Sequence, residues 1–144
     1  MQIERFPQDF IHIMGIHEES RRLQDLAAYL ESHGYQYGSR SAENILLLQN
    51  IFTAETLHRI VLNALKSPSP DQSLNSFERL TGVIPPESLC KLAERKKRLA
   101  QCILLCGSSP FLVNLMYKSP DIVRWLFLEN GIDHSRSAED MYAA

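Results

Sequence analysis

Two Ser-Pro pairs, Ser109-Pro110 and Ser119-Pro120, stand ten residues apart, and an apolar stretch follows each of them. Serine favours the position just before a helix because its hydroxyl accepts a hydrogen bond from a free backbone N–H of the first turn. Proline suits the first helical position, where the N–H that it lacks would have no partner within the helix. The run therefore predicts two short helices joined by a tight turn.

The same arrangement of apolar stripes between helix-ending residues extends along most of the chain. Leu23, Leu26 and Leu30 recur at three- and four-residue steps, which predicts an amphipathic helix over residues 17–33 that Gly34 ends. No stretch alternates apolar and polar residues over several positions, as a half-buried strand would. We therefore predict an all-α fold, an irregular bundle of about eight short to medium helices.

The length of the chain, 144 residues, fits a single helical domain over residues 1–144. Residues 1–16 have no clear helical period and contain a proline, so we expect a loosely docked arm. Two prolines within residues 66–71 predict a break between two helical halves. Residues 137–140 resemble a capping box for one more helix, and the chain ends just after them. We expect an N-terminal fragment of a larger protein, although a short terminal helix would look the same.

One point of helix organisation stays open at this level. Residues 41–65 carry two apolar stripes, and the sequence does not decide whether they form one helix or two. Thr53 is the candidate cap for a second helix.

The three cysteines, Cys90, Cys102 and Cys106, follow no regular framework, which is typical of a reducing compartment. Cys102 and Cys106 lie four residues apart on an apolar helix and share one face. They could form a metal or redox pair, or they could be two small buried hydrophobes. A zinc site needs about four ligands, and no second pair lies nearby in the sequence, so we expect buried hydrophobes.

The overall composition excludes several classes of protein. The net charge is −2 and the pI is about 6.2, whereas a general nucleic-acid binder usually has a basic excess. There is no apolar run of the ~20 residues that a bilayer-spanning helix needs. The first residues lack the charged-then-apolar order of a signal peptide. We expect a cytoplasmic protein that contacts neither nucleic acid nor membrane.

Common catalytic motifs are absent from the sequence. It contains no phosphate-binding glycine loop, no Asp-x-Asp pair, and no nucleophile elbow, since residues 107–111 lack the second glycine. His17 is followed by two glutamates but not by the second histidine of a zinc-binding motif. His12 and His17 are five residues apart and would share a helix face poorly. We predict no catalytic, cofactor-binding or metal-binding residue.

Two further features have a functional and a structural interpretation. The charge run Arg95-Lys96-Lys97-Arg98 could bind phosphates or an acidic partner, but we expect the solvated face of a helix end or junction. Trp125 could anchor an interface, but its apolar neighbours favour a place in the core.

Three segments in fixed order form a longer pattern: LNSFERL at residues 74–80, LLCGSSPFL at 104–112 and SPDIVRWL at 119–126. Together they make residues 73–128 resemble the N-terminal helical region of the glutamine synthetase adenylyltransferase / adenylyl-removing family. In that family an Asn-x-x-Glu-Arg-like helix precedes Phe-Gly-x-Ser-x-Phe-Leu-x-x-Leu and then His-Pro-x-x-x-x-x-Leu. Here Cys106 replaces the aromatic residue and Ser119 replaces the histidine.

The resemblance implies a large cytoplasmic regulator of nitrogen assimilation. Family members transfer AMP from ATP to a tyrosine of glutamine synthetase and remove it by phosphorolysis, and they need magnesium. They have two nucleotidyltransferase domains and respond to PII signal proteins and glutamine. Their active sites use Gly-Ser followed by Asp-x-Asp. This chain has Gly107-Ser108 without an Asp-x-Asp, so the resemblance implies no catalytic residue here.

On this basis we expect a non-catalytic helical segment that supports the first nucleotidyltransferase domain in the same polypeptide, with glutamine synthetase and PII as implied partners. The alternative is a stand-alone helical protein–protein interaction module. A small-molecule-binding bundle is a third hypothesis, and no polar constellation favours it. A Gly-Ser with an Asp-x-Asp encoded downstream would favour the first hypothesis, and a stop codon the second.

Overall fold

The computed structural model describes residues 6–129, and every regular element within that range is helical, which confirms the all-α prediction. Nine α-helices and one π-helical turn follow one another in this part of the chain. Their bounds are α1 Phe6–Met14, α2 Glu19–Ser32, α3 Gly38–Leu48, α4 Ala54–Leu65, α5 Pro70–Thr81, α6 Pro86–Glu94, α7 Lys96–Cys106, α8 Pro110–Lys118, α9 Asp121–Val123 and the π turn Arg124–Leu128.

Side-chain caps separate several of these helices. The Thr53 hydroxyl accepts a hydrogen bond from the Thr56 N–H at 3.3 Å, so two helices, α3 and α4, cover the stretch that the sequence left open. Ser109 caps α8 in the same way and is followed by a proline at the first helical position, as predicted. Ser69 caps α5 and thereby ends the proline-rich break between α4 and α5.

The second Ser-Pro pair starts a helix differently from the prediction. Ser119 makes no capping bond, and Pro120 itself is the N-cap, with φ −59° and ψ −22°. The helix that follows is only three residues long before it widens into the π turn, where the Glu129 N–H bonds to the Arg124 carbonyl at 2.9 Å.

The loosely docked arm expected over residues 1–16 is wrong for its described part. Residues 6–14 form α1, and Phe10 is completely buried, with its ring 5.8 Å from that of Tyr29 and 5.4 Å from that of His58. Phe10 and Met14, which are four residues apart, both face the core. The exposed Ile11 beside them obscured this period in the sequence.

A single hydrophobic cluster extends across the proline-rich break at residues 66–71. Helix α4 packs on α5 and α7, and α5 also packs on α3, so the halves before and after the break share one core. Helix α1 closes one side against α2 and α4, and the π turn packs on α6 and α7. The largest completely buried side chains include Phe10, Leu26, Leu48, Leu74 and Phe77.

Within residues 6–129 no single helix is long and apolar enough to cross a membrane, and the pair α7–α8, which passes that test jointly, is bent by 113°. The capping box predicted at residues 137–140 lies outside the described residues.

Candidate functional site

The histidines of the described chain do not converge on a metal site. His12 and His17 are both exposed, and no group of three or more His, Cys, Asp or Glu residues that could hold a metal occurs within residues 6–129. His58 is buried against Phe10, and burial, with a smaller contribution from the nearby His33, lowers the pKa of its imidazole below 6.5. The His58 ring therefore belongs to the core as a neutral group.

The cysteine pair is buried, as the sequence predicts. Cys102 and Cys106 are both inaccessible to solvent on α7, whereas Cys90 is exposed on α6. Hydrogen bonding with Cys102, together with burial, raises the pKa of the Cys106 thiol well above its ordinary value. Because the thiolate is the form that attacks electrophiles and binds metals, this pair is suited to packing rather than to chemistry.

Gly107 and Ser108 occupy the end of α7 and form no phosphate loop. Gly107 lies against Ser67 and Ser73 so closely that a Cβ atom would collide with the Ser67 side chain and stand 3.0 Å from the Ser73 Cβ. The Ser73 hydroxyl donates to the Ile103 carbonyl at 2.6 Å. Gly107 and Ser108 thus lie at a tight junction between α5 and α7, where Gly107 has a structural role.

A carboxylate that the sequence did not single out organises the start of α3. Asp71, in the first turn of α5, accepts hydrogen bonds from the backbone N–H groups of Gln36 and Tyr37 at 2.8 and 3.0 Å and from the Ser41 hydroxyl at 2.6 Å. These bonds join residues that lie 30 or more positions apart in the sequence, so no local motif could have indicated them. Asp71 is therefore committed to holding the loop before α3.

The outer face of α8 exposes the apolar side chains of Phe111 and Leu115 beside those of Asn114 and Lys118. Val113 and Met116 face the core, while Phe111 is 73% exposed and Leu115, one turn later, is 39% exposed. Lys118 is the only charged residue of this helix. Helix α8 thus buries one apolar side while its outer side also exposes large apolar residues, Phe111 above all.

The flank of this face is ordered by a contact with α5. The Arg79 guanidinium lies over the Tyr117 ring, with its central carbon 4.9 Å from the ring centroid. This contact restricts Tyr117, whose side chain is half-exposed.

The core position expected for Trp125 is wrong. Its side chain is 44% exposed on the π turn, while Phe127, two residues later, is 1% exposed and fills the core position. A run of four large apolar residues, 125–128, does not reveal from the sequence which of them faces inward, because the phase of the wide turn decides it.

The charge run lies at the junction of α6 and α7, as predicted. Arg95 separates the two helices, and its guanidinium Nη1 donates to the Leu128 carbonyl at 2.6 Å; Lys96 and Lys97 are exposed at the start of α7. An open cavity of about 460 Å³ lies between α6 and the π turn beside these cations.

No family model, no curated protein and no solved structure matches this chain.

Proposed function

We propose that this chain is a non-catalytic helical segment that docks on a neighbouring protein through the outer face of α8. The observation that carries the proposal is the exposure of Phe111, with Leu115 beside it on the same face. Leaving a phenylalanine in water forgoes about 1.5–3 kcal/mol of burial free energy. Aromatic side chains are enriched in the buried centres of protein interfaces, where a partner recovers that free energy.

The sequence resemblance supplies the setting for this docking. Phe111 lies within residues 104–112, one of the three segments that resemble the adenylyltransferase family. In that setting the chain supports the first nucleotidyltransferase domain of a glutamine synthetase adenylyltransferase / adenylyl-removing enzyme, a cytoplasmic regulator of nitrogen assimilation. Glutamine synthetase and PII are its partners, and ATP and magnesium belong to the catalytic domains.

A stand-alone protein–protein interaction module is the second candidate, and the same exposed face supports it. The two candidates differ in the protein that covers α8 and not in the chemistry of the face. Cys102, Cys106 and His58 are all used in packing, which supports a non-catalytic role in either case.

Isothermal titration of the chain with purified glutamine synthetase, and separately with PII, tests the first candidate. The Phe111→Ser variant should lose binding, because it removes the exposed anchor without touching the core. Leu47→Ser on α3, where Leu47 is 54% exposed, is the matched control and should bind normally. If neither protein binds the folded chain, the adenylyltransferase setting is wrong; binding that Phe111→Ser leaves intact would remove α8 as the docking surface.

A further inference from the structure

Positive charge is concentrated in the second half of the described chain. Residues 79–129 contain eight Lys and Arg against four Asp and Glu, whereas residues 6–78 contain five against nine. Five of the eight cations lie where α6 meets α7, at Lys91 and residues 95–98. No ion pair involves Lys91, Lys96 or Lys97 in the part of the chain that the structure describes. Among residues 6–129, therefore, the junction presents three ammonium groups without an ion-pair partner.

The cavity beside the junction brings a further cation to the same place. Lys91 and Arg95 line it together with Arg124 from the π turn, and the carboxylates of Glu94 and Glu129 also line it. Arg124 Nε lies 3.0 Å from a Glu129 carboxylate oxygen, and Arg95 is held by its bond to the Leu128 carbonyl. Both guanidinium groups are thus ordered before any ligand arrives, which lowers the entropic cost of binding.

The cations also oppose the local stability of α7. Helix α7 has no side-chain cap and no acidic residue in its first turn, where Lys96 and Lys97 stand instead. Cations at the positive end of a helix dipole destabilise the helix, and acidic residues are the usual choice there. Departures from local preference of this kind occur at functional sites.

We infer that the α6–α7 junction, formed by Lys91 and residues 95–98 with the adjoining cavity, docks an acidic segment of a partner protein. The cations lie together at one helix junction, and their charge is complementary to a short run of carboxylates. Nucleic acid is disfavoured because its binding surfaces extend over a basic domain, whereas this chain has a net charge of −2. Glu94 and Glu129 in the cavity would also repel a compact phosphate more than carboxylates spread along a peptide.

Fluorescence polarisation with a labelled polyglutamate peptide tests the inference on the whole chain at low ionic strength. The peptide should bind, and its affinity should fall as salt is added, because the contacts are between exposed charges. The double substitution Lys96→Glu and Lys97→Glu should weaken binding by at least about tenfold. The same variant should melt at a higher temperature, because it places acids at the positive end of α7.

The matched control is Arg21→Glu with Arg40→Glu, which makes the same change of charge at exposed positions of α2 and α3. This control should bind the peptide nearly as well as the parent chain. The Phe111→Ser variant should also bind the peptide normally. The result therefore does not depend on whether α8 is a docking surface.

Three outcomes would overturn the inference: no binding at low salt, equal weakening by the control pair, or tighter binding of a single-stranded oligonucleotide than of the peptide. Sedimentation of the chain alone adds a fourth. If the chain self-associates and Lys96→Glu with Lys97→Glu abolishes that association, the acidic half of a second copy occupies the junction instead.

Discussion

The Ser41 hydroxyl donates a hydrogen bond to the Asp71 carboxylate over 2.6 Å, and thereby joins the first turn of α3 to the first turn of α5. The same carboxylate accepts two backbone N–H groups of the loop that leads into α3, at Gln36 and Tyr37. The Asp71 carboxylate thus accepts hydrogen bonds from three donors, which would have to bond to water if it were absent. The proline-rich break before α5 matters because it places Asp71 at this point.

Removing that carboxylate should destabilise the fold. Asp71→Ala leaves three donors without their acceptor, and we expect the free energy of unfolding to fall by about 1–3 kcal/mol. Urea unfolding followed by circular dichroism measures the change. Asp25→Ala is the control, because among residues 6–129 the ion pair of Asp25 is an exposed one with Arg21 at 3.8 Å, and its loss should change stability by less than about 1 kcal/mol. Equal losses in the two variants would contradict the role given to Asp71.

Gly107 should not tolerate a side chain. Gly107→Ala places a methyl group against Ser67 and Ser73, and the shift needed to accommodate it should cost about 1–3 kcal/mol. Gly15→Ala is the matched control, since the nearest atoms to its Cβ would be backbone oxygens at 3.5 and 3.6 Å, an ordinary contact. Thermal melts should show a lower midpoint for Gly107→Ala alone. A melting temperature that stays at the parent value would show that the α5–α7 junction has room.

The buried His58 predicts a loss of stability in acid. Its pKa is lowered in the folded protein, so the unfolded chain, with a pKa near 6.5, binds the proton first as the pH falls. His58 therefore costs no stability above pH 6.5. As the pH falls from 6.5 towards the lower pKa of the folded protein, the free energy of unfolding should decrease. Urea unfolding across this range should show a smaller decline in His58→Leu than in the parent chain. His12→Gln, at an exposed position, should leave the decline unchanged; the idea fails if His58→Leu does so too.

The exposed Trp125 and the buried Phe127 should respond differently to truncation. Phe127→Ala removes an almost completely enclosed ring and should cost about 3–5 kcal/mol. Trp125→Ala should cost less than about 1 kcal/mol in the isolated chain, because its ring is nearly half in solvent. Thermal or urea unfolding of the two variants, two residues apart on the same turn, makes the comparison directly. A larger loss for Trp125→Ala would restore the core position that the sequence suggested.

The sequence predicts the helices well where the signals are local. Ser109 with Pro110, and Thr53, mark the starts of α8 and α4 because a cap acts within its own first turn. The sequence does not predict burial or hydrogen bonding where contacts between distant residues decide them. Phe10 is buried only because α2 and α4 supply Tyr29 and His58, and Asp71 gains its role from a loop more than 30 residues earlier.

Of the two candidate surfaces, one could be predicted from the sequence and the other could not. The exposure of Arg95, Lys96 and Lys97 follows from the charge run itself, since such a run is rarely buried. The exposure of Phe111 could not be predicted, because α8 carries apolar residues on every side and only tertiary packing decides which of them remain outside.

The central claim is that the outer face of α8 docks glutamine synthetase or PII, and photo-crosslinking tests it most directly. The chain is prepared with p-benzoylphenylalanine in place of Phe111, and separately in place of Leu47, and each is irradiated with purified glutamine synthetase or PII. The account predicts a covalent product from position 111 with one of these proteins and little or none from position 47. No product at position 111, or equal yields from the two positions, would contradict it.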